Sequence, residues 1–152
     1  METIKILFLD IDGVCNSKET FTKDPHAHFP VDNYMAFLVG KIQLDTDCRI
    51  VLSSSWRHPK ESVEFLEKKF GKFFGISDSS SHGIRGLEIH EWLTKNIKGF
   101  SSDGYKKPEY KIAILDDDSD MLLWQKDSFF KTSWETGLTD EIAKSVTEHL
   151  NK

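Results

Sequence analysis

The sequence predicts an α/β fold: a single Rossmann-like three-layer domain with a central, mostly parallel sheet, helices on both faces, and a minimal cap or none. Three observations carry this expectation. Three runs, Ile4–Leu9, Ile50–Leu52 and Ile112–Leu115, are apolar at nearly every position, as strands buried on both faces require. Amphipathic stretches of helical period follow or separate them. Each run also ends abruptly in acids or hydroxyls: Asp10-Ile11-Asp12-Gly13, Ser53-Ser54-Ser55 and Asp116-Asp117-Asp118.

The first run, Ile4–Leu9, is expected as a central strand. Residues 15–31 are polar, contain Pro25, Pro30, His26 and His28, and read as a loop or small flap. Asp32 is placed to cap a helix whose stripe is Tyr34, Phe37, Leu38 and Ile42. Ile50–Leu52 is the next strand. Pro59 suits a first helical turn, and Val63, Leu66 and Phe70 keep helical spacing until Gly71. The Ser/Asp/Gly-rich residues 77–83 read as a loop, and Leu87, Ile89, Trp92 and Leu93 as another helix. A polar surface stretch from Lys95 to Lys107 precedes the third strand, and Phe129-Phe130 forms a short later one. The last helix has Thr139 as its cap, Asp140 and Glu141 in its first turn, and Ile142, Val146 and Leu150 on one face. Nothing divides the 152 residues into repeats or linked pieces, so one domain over 1–152 is expected.

Composition narrows the function classes. With 38% apolar and 30% charged residues the chain is globular in character. A net charge of −5 argues against a dedicated, high-affinity nucleic-acid binder, though not against an enzyme that touches nucleic acid briefly. Cys15 and Cys48 form no C-x-x-C pair, so neither a disulfide scaffold nor a zinc site is expected; His26 and His28 lack two further ligands. The amino-terminal segment lacks signal-peptide features, and no stretch approaches the roughly 18 apolar residues of a membrane span. A cytoplasmic location without membrane association is the resulting expectation.

In open α/β sheets, ligands lie outside the carboxyl ends of the strands. Acids after one strand are often turn formers. Polar groups after three strands converging on one edge are harder to read that way. Five acids there repel one another and call for a cation, and their oxygen ligands favour Mg²⁺. Asp10 and Asp12, two apart on extended chain, face the same side, so one can attack while the other moves a proton. Gly13 permits the sharp turn that follows.

The Asp10-Ile11-Asp12-Gly13-Val14 segment resembles the first motif of the haloacid dehalogenase superfamily. Ser53 or Ser54 resembles its second, Arg85 stands where its third has a Lys or Arg, and Leu115-Asp116-Asp117 resembles its fourth; together they span residues 4–120. The resemblance implies that Asp10 attacks phosphorus and that Asp12 serves as acid and base. It implies that Mg²⁺ is held by Asp10, the Asp12 carbonyl and the Asp116/Asp117 pair, with Asp120 on a metal-bound water. A hydroxyl of Ser53 or Ser54 and the Arg85 guanidinium would bind the phosphate.

Ser-Ser-Trp-Arg, Arg-Gly-Leu-Glu-Ile and the late Thr-Gly-Leu-Thr region are similar to a nearly capless branch associated with RNA-repair systems. The expected function is therefore a magnesium-dependent phosphomonoesterase, through an aspartyl-phosphate, on an open substrate such as a nucleic-acid terminal phosphate. A small-nucleotide phosphatase and a catalytically silent phosphate- or protein-binding domain are the alternatives. The expected partner is the phosphorylated substrate, with no obligate protein. Arg57, the 15–31 flap and the lysines at 95, 98, 106, 107 and 111 are the candidate substrate-contacting surface, although Arg57 reads first as a solvated helix-entry residue and the lysines first as a solvated face. Trp56, Trp92 and Trp124 read as packing residues rather than stacking platforms.

Overall fold

The computed structural model describes residues 3–79, 82–100 and 110–152. Among these, five parallel strands form one sheet in the order β3-β2-β1-β4-β5: β1 (Ile4–Leu9), β2 (Arg49–Leu52), β3 (Gly75–Ile76), β4 (Tyr110–Asp116) and β5 (Phe129–Lys131). Strand alternation divides the core in two. Leu7, Leu9, Ile50, Leu52, Ala113 and Leu115 face helices α2 (Asn33–Thr46), α3 (Lys60–Phe70) and α5 (Asp140–Leu150). Ile6, Phe8, Val51, Ile112 and Ile114 face α4 (Arg85–Asn96) through Ile89, Trp92 and Leu93. This is the three-layer α/β arrangement expected of the apolar runs.

The helix ends obey local chemistry. The Asp32 carboxylate accepts from the N–H groups of Tyr34 and Met35, and the Thr139 hydroxyl accepts from that of Ile142. The buried stripe of α2 is Met35, Leu38, Val39 and Ile42, whereas Tyr34 and Phe37 are 53% and 60% exposed. The expected stripe is thus one residue out of phase at two positions; both sets keep i, i+3, i+4 spacing, and packing of α2 against α3 and α5 decides between them. The flap contains a short helix, α1 (Lys18–Lys23), with no buried residue.

Strand β3 is not among the expected elements, since Gly75-Ile76 has no strand pattern of its own. It forms against β2 because Gly75 lies on the Trp92 indole, where a Cβ would come within 2.6 Å of the ring. Among the described residues no helix is long and apolar enough to cross a membrane.

Register brings the strand ends together. Leu9 pairs with both Leu52 and Leu115, so Asp10, Ser53 and Asp116 emerge side by side at the carboxyl edge. The same geometry removes Lys95 and Lys111 from that edge. Lys95 lies ten residues along α4 from Arg85, about 15 Å at the helical rise, and Lys111 is the second residue of β4, about 16 Å of strand before Asp116. Lys95 and Lys111 thus stand about 15 Å from the carboxylate edge, beyond reach of the reacting phosphate itself. Lys106 and Lys107 lie outside the described residues.

Candidate active site

Asp10 follows β1 with its N–H donated to the Leu115 carbonyl, which ties the turn to β4. The chain then bends through Gly13, at φ +79°, in a space where any Cβ would collide with the Asp117 carboxylate. Three cross-links hold this loop: the Gly13 N–H donates to Asn16 Oδ1 at 2.9 Å, the Thr132 hydroxyl donates to the Gly13 carbonyl, and the Leu138 N–H donates to the Val14 carbonyl. The position of Asp10 is thus set by strands on both sides of it.

Ligand atoms of Asp10, Asp116 and Asp117 all lie within 4.8 Å of one another. Burial, and then the charge of Asp116, raises Asp10 to about 8, against the opposing pull of Arg85, the Ile11 N–H and the Ser54 hydroxyl. Burial likewise raises Asp116 to about 6 and pushes Asp117 upward. One Asp116 oxygen accepts from the Asp118 N–H at 2.9 Å; the other is buried without a hydrogen bond. Clustered, desolvated carboxylates with an orphaned oxygen are what a hard divalent cation satisfies, so the residues fit Mg²⁺.

Arg85 opens α4 and reaches back across this edge. Its guanidinium lies 4.0 Å from Asp10, 3.7 Å from Asp116 and 3.8 Å from Glu88, and it also meets the carbonyl and hydroxyl of Ser53. The two candidate serines differ. Ser54's hydroxyl caps the following 3-10 turn through the Trp56 N–H and is close enough to Asp10 to favour its charged form. Ser53's hydroxyl sits 3.3 Å from Arg85 Nη1, sharing the face of the guanidinium.

Asp12 is held elsewhere. One carboxylate oxygen accepts from Asn16 Nδ2 at 3.0 Å and the other from Trp56 Nε1 at 3.1 Å. Its side chain is not one of the clustered carboxylates. Sequence reading missed both of these donors. The signal for Asn16 was an amide three residues after the Asp12-Gly13 turn, and it is fully buried.

One further residue departs from expectation. Arg57, expected as a solvated residue at a helix entry or as a substrate contact, is buried instead. Its guanidinium donates to the carbonyls of Ser54 and Ser77 at 2.7 and 2.6 Å and to Glu88 at 3.0 Å. It braces the loop after β2 from below. Asp120 accepts from the Arg85 N–H at 2.8 Å, capping α4.

A parallel sheet whose central strand ends in Asp-x-Asp-Gly, flanked by serines after β2 and an acid pair after β4, defines a haloacid dehalogenase-like domain, a phosphatase-type hydrolase fold. A family model described as the HAD domain in Swiss Army Knife RNA repair proteins matches residues 6–143, and the chain belongs to that family. No curated protein and no solved structure matches it.

The cluster predicts how a cation binds. Ligands must be deprotonated, and those of Asp10 and Asp116 are raised, so Mg²⁺ should displace protons. Affinity should rise from pH 6 to pH 8.5, and calorimetry in buffers of different ionisation enthalpy should register proton release. Affinity flat with pH would contradict a site made of these carboxylates.

Proposed function

We propose that this protein is a magnesium-dependent phosphomonoesterase that works through an aspartyl-phosphate on the terminal phosphate of a nucleic acid. The observation that supports this most is the division of labour between two acids two residues apart. Asp10 lies among Asp116, Asp117 and Arg85, while Asp12 is turned onto Asn16 and Trp56.

An Asp10 oxygen attacks phosphorus as the bond to the leaving oxygen breaks, and Asp12, as the acid, protonates that oxygen. Asp12, now a carboxylate, takes a proton from water; the water oxygen attacks phosphorus, and the bond to Asp10 breaks. Inorganic phosphate leaves, with Asp10 ionised and Asp12 protonated again. Arg85 and the Ser53 hydroxyl hold phosphoryl oxygens, and Ser54 orients Asp10. Mg²⁺, held by Asp10, Asp116, Asp117 and the Asp12 carbonyl, would neutralise charge on the nucleophile and the phosphoryl group. The family's link to RNA repair supports a nucleic-acid-related substrate.

The test is phosphate release from an aryl phosphate and from nucleotides, oligonucleotides phosphorylated at either end, phosphosugars and phosphopeptides, with Mg²⁺ and with chelator. Release that needs Mg²⁺ is expected, and none from any compound would leave only a silent binding domain. In the same assay Asp12→Asn should lower kcat about 10²–10⁴-fold on alkyl phosphates with little change in KM. An unchanged kcat on a poor leaving group would remove Asp12 from proton transfer.

A further inference from the structure

A cleft of about 480 Å³ opens beside the carboxylate cluster, between the flap and the turn after β2. That volume falls within the roughly 300–1,000 Å³ range of small-molecule sites. Asp12 lines it, together with Phe21, His28, Phe29, Trp56 and His58. Among the described residues, Asp12 is its one acid, and it has no Lys or Arg.

The rings are arranged, not merely present. Phe29 is stacked on Phe65, with centroids 5.0 Å apart and planes at 27°, which backs it against the core. Trp56 meets Phe29 with centroids 6.0 Å apart and planes at 49°, its indole N–H fixed on Asp12, and the His28 ring lies 4.3 Å from Phe29, so the three rings form one continuous wall. Trp56 thus borders the cleft as well as packing, beyond the purely packing role its sequence context suggests.

Asp12 is the acid that meets the leaving oxygen, so whatever that oxygen belongs to must occupy the space Asp12 borders. A wall of rings without basic residues suits an uncharged planar group, and an additional phosphate there would face the Asp12 carboxylate. The exposed imidazoles of His28 and His58 supply hydrogen-bonding nitrogens at the rim, which match the heteroatom edge of a base. A phenol ring offers no such edge.

We infer that this cleft is the subsite of a leaving nucleoside, its base packed against the ring wall that the flap's Phe29 forms with Trp56. The inference rests on the phosphatase reading above and assigns its substrate class: a nucleoside phosphate, free or at a strand end.

Binding is measured by calorimetry with Mg²⁺ on the Asp10→Asn protein, which prevents turnover. The probes are adenosine 5′- and 3′-monophosphate, ribose 5-phosphate, a phosphorylated dinucleotide and a phosphotyrosine peptide. Any loss common to all probes cancels in their ratio. At least one adenosine phosphate should bind about 5- to 150-fold tighter than ribose 5-phosphate, the range expected for stacking one base. Phe29→Ala and the volume-preserving Phe29→Leu should both bring that ratio towards one. A dinucleotide that binds tighter still identifies a strand end as the source, and equal binding identifies the free nucleotide; both support the base subsite. A ratio of one in the parent, a ratio untouched by both Phe29 variants, or a preference for phosphotyrosine overturns it. Phosphate release by the wild-type protein from an aryl phosphate tests the phosphatase reading separately, so the two can fail independently.

Discussion

Asp10→Asn should abolish phosphate release, by about 10⁴-fold or more, while making the metal-free protein more stable at alkaline pH. The amide cannot form the acyl-phosphate, and it withdraws one negative ligand from the cluster. The stability effect follows from linkage. Asp10 ordinarily titrates near 3.8 and is raised to about 8 in the fold. The folded protein therefore holds a proton there that the unfolded chain releases, and stability falls as pH rises through that window. An amide carries no such proton, so the variant should melt at a higher temperature than the wild type at pH 8, with the gap closing towards pH 4. Mg²⁺ should stabilise the wild type and lose most of that effect in the variant, since a ligand that binds only the folded state raises its stability. Thermal melts at both pH values, with and without Mg²⁺, read all of this. A variant less stable than the wild type at pH 8 without metal would show that Asp10 is not held in a desolvated, like-charged site.

Arg57→Ala should be the most damaging substitution for stability, at about 3–5 kcal/mol. The guanidinium makes three buried contacts, to the Ser54 and Ser77 carbonyls and to Glu88. Its removal takes the side-chain donor from the Ser77 carbonyl, leaves the Ser54 carbonyl only the N–H of residue 57, and strips a buried carboxylate of its closest cation, besides a cavity. Glu88 would then compete for Arg85, 3.8 Å from it, and draw that side chain from Asp10 and Asp116. For a chain of this size the melting temperature should drop by roughly 6–20 °C. Arg57→Met with Glu88→Gln should recover part of the loss, because no buried charge is then left uncompensated. A drop of under about 3 °C for Arg57→Ala would show that this pair does not hold the loop after β2. The contrast between the two arginines is instructive. Both follow strand-end motifs, yet one faces the carboxylates and the other is enclosed beneath them.

The strands and the reacting edge were legible because they rest on local patterns. Ile4–Leu9, Ile50–Leu52 and Ile112–Leu115 are apolar runs that only a doubly covered sheet can bury, and each stops where its chemistry begins. The cap at Asp32 and the cap at Thr139 were equally readable, since a cap is a contact between residues two or three apart. The family follows from the same strand-end residues, and its model covers them from residue 6 to 143.

What only the tertiary structure decided depends on contacts between distant segments. Trp56 and Asp12 are 44 residues apart, and Arg57 and Glu88 are 31 apart. No spacing rule reports such pairs. The two serines after β2 were indistinguishable in sequence; the turn that follows engages the Ser54 hydroxyl through the Trp56 N–H and leaves Ser53 beside Arg85. The lysines at 95 and 111 flank the Arg85 and Asp116 motifs in sequence, but helix and strand carry them to the opposite end of the sheet. Regular structure converts short sequence distance into about 15 Å of space. Burial and register, which are properties of the packed whole, thus separated the residues at the site from those that merely stand near it in the chain.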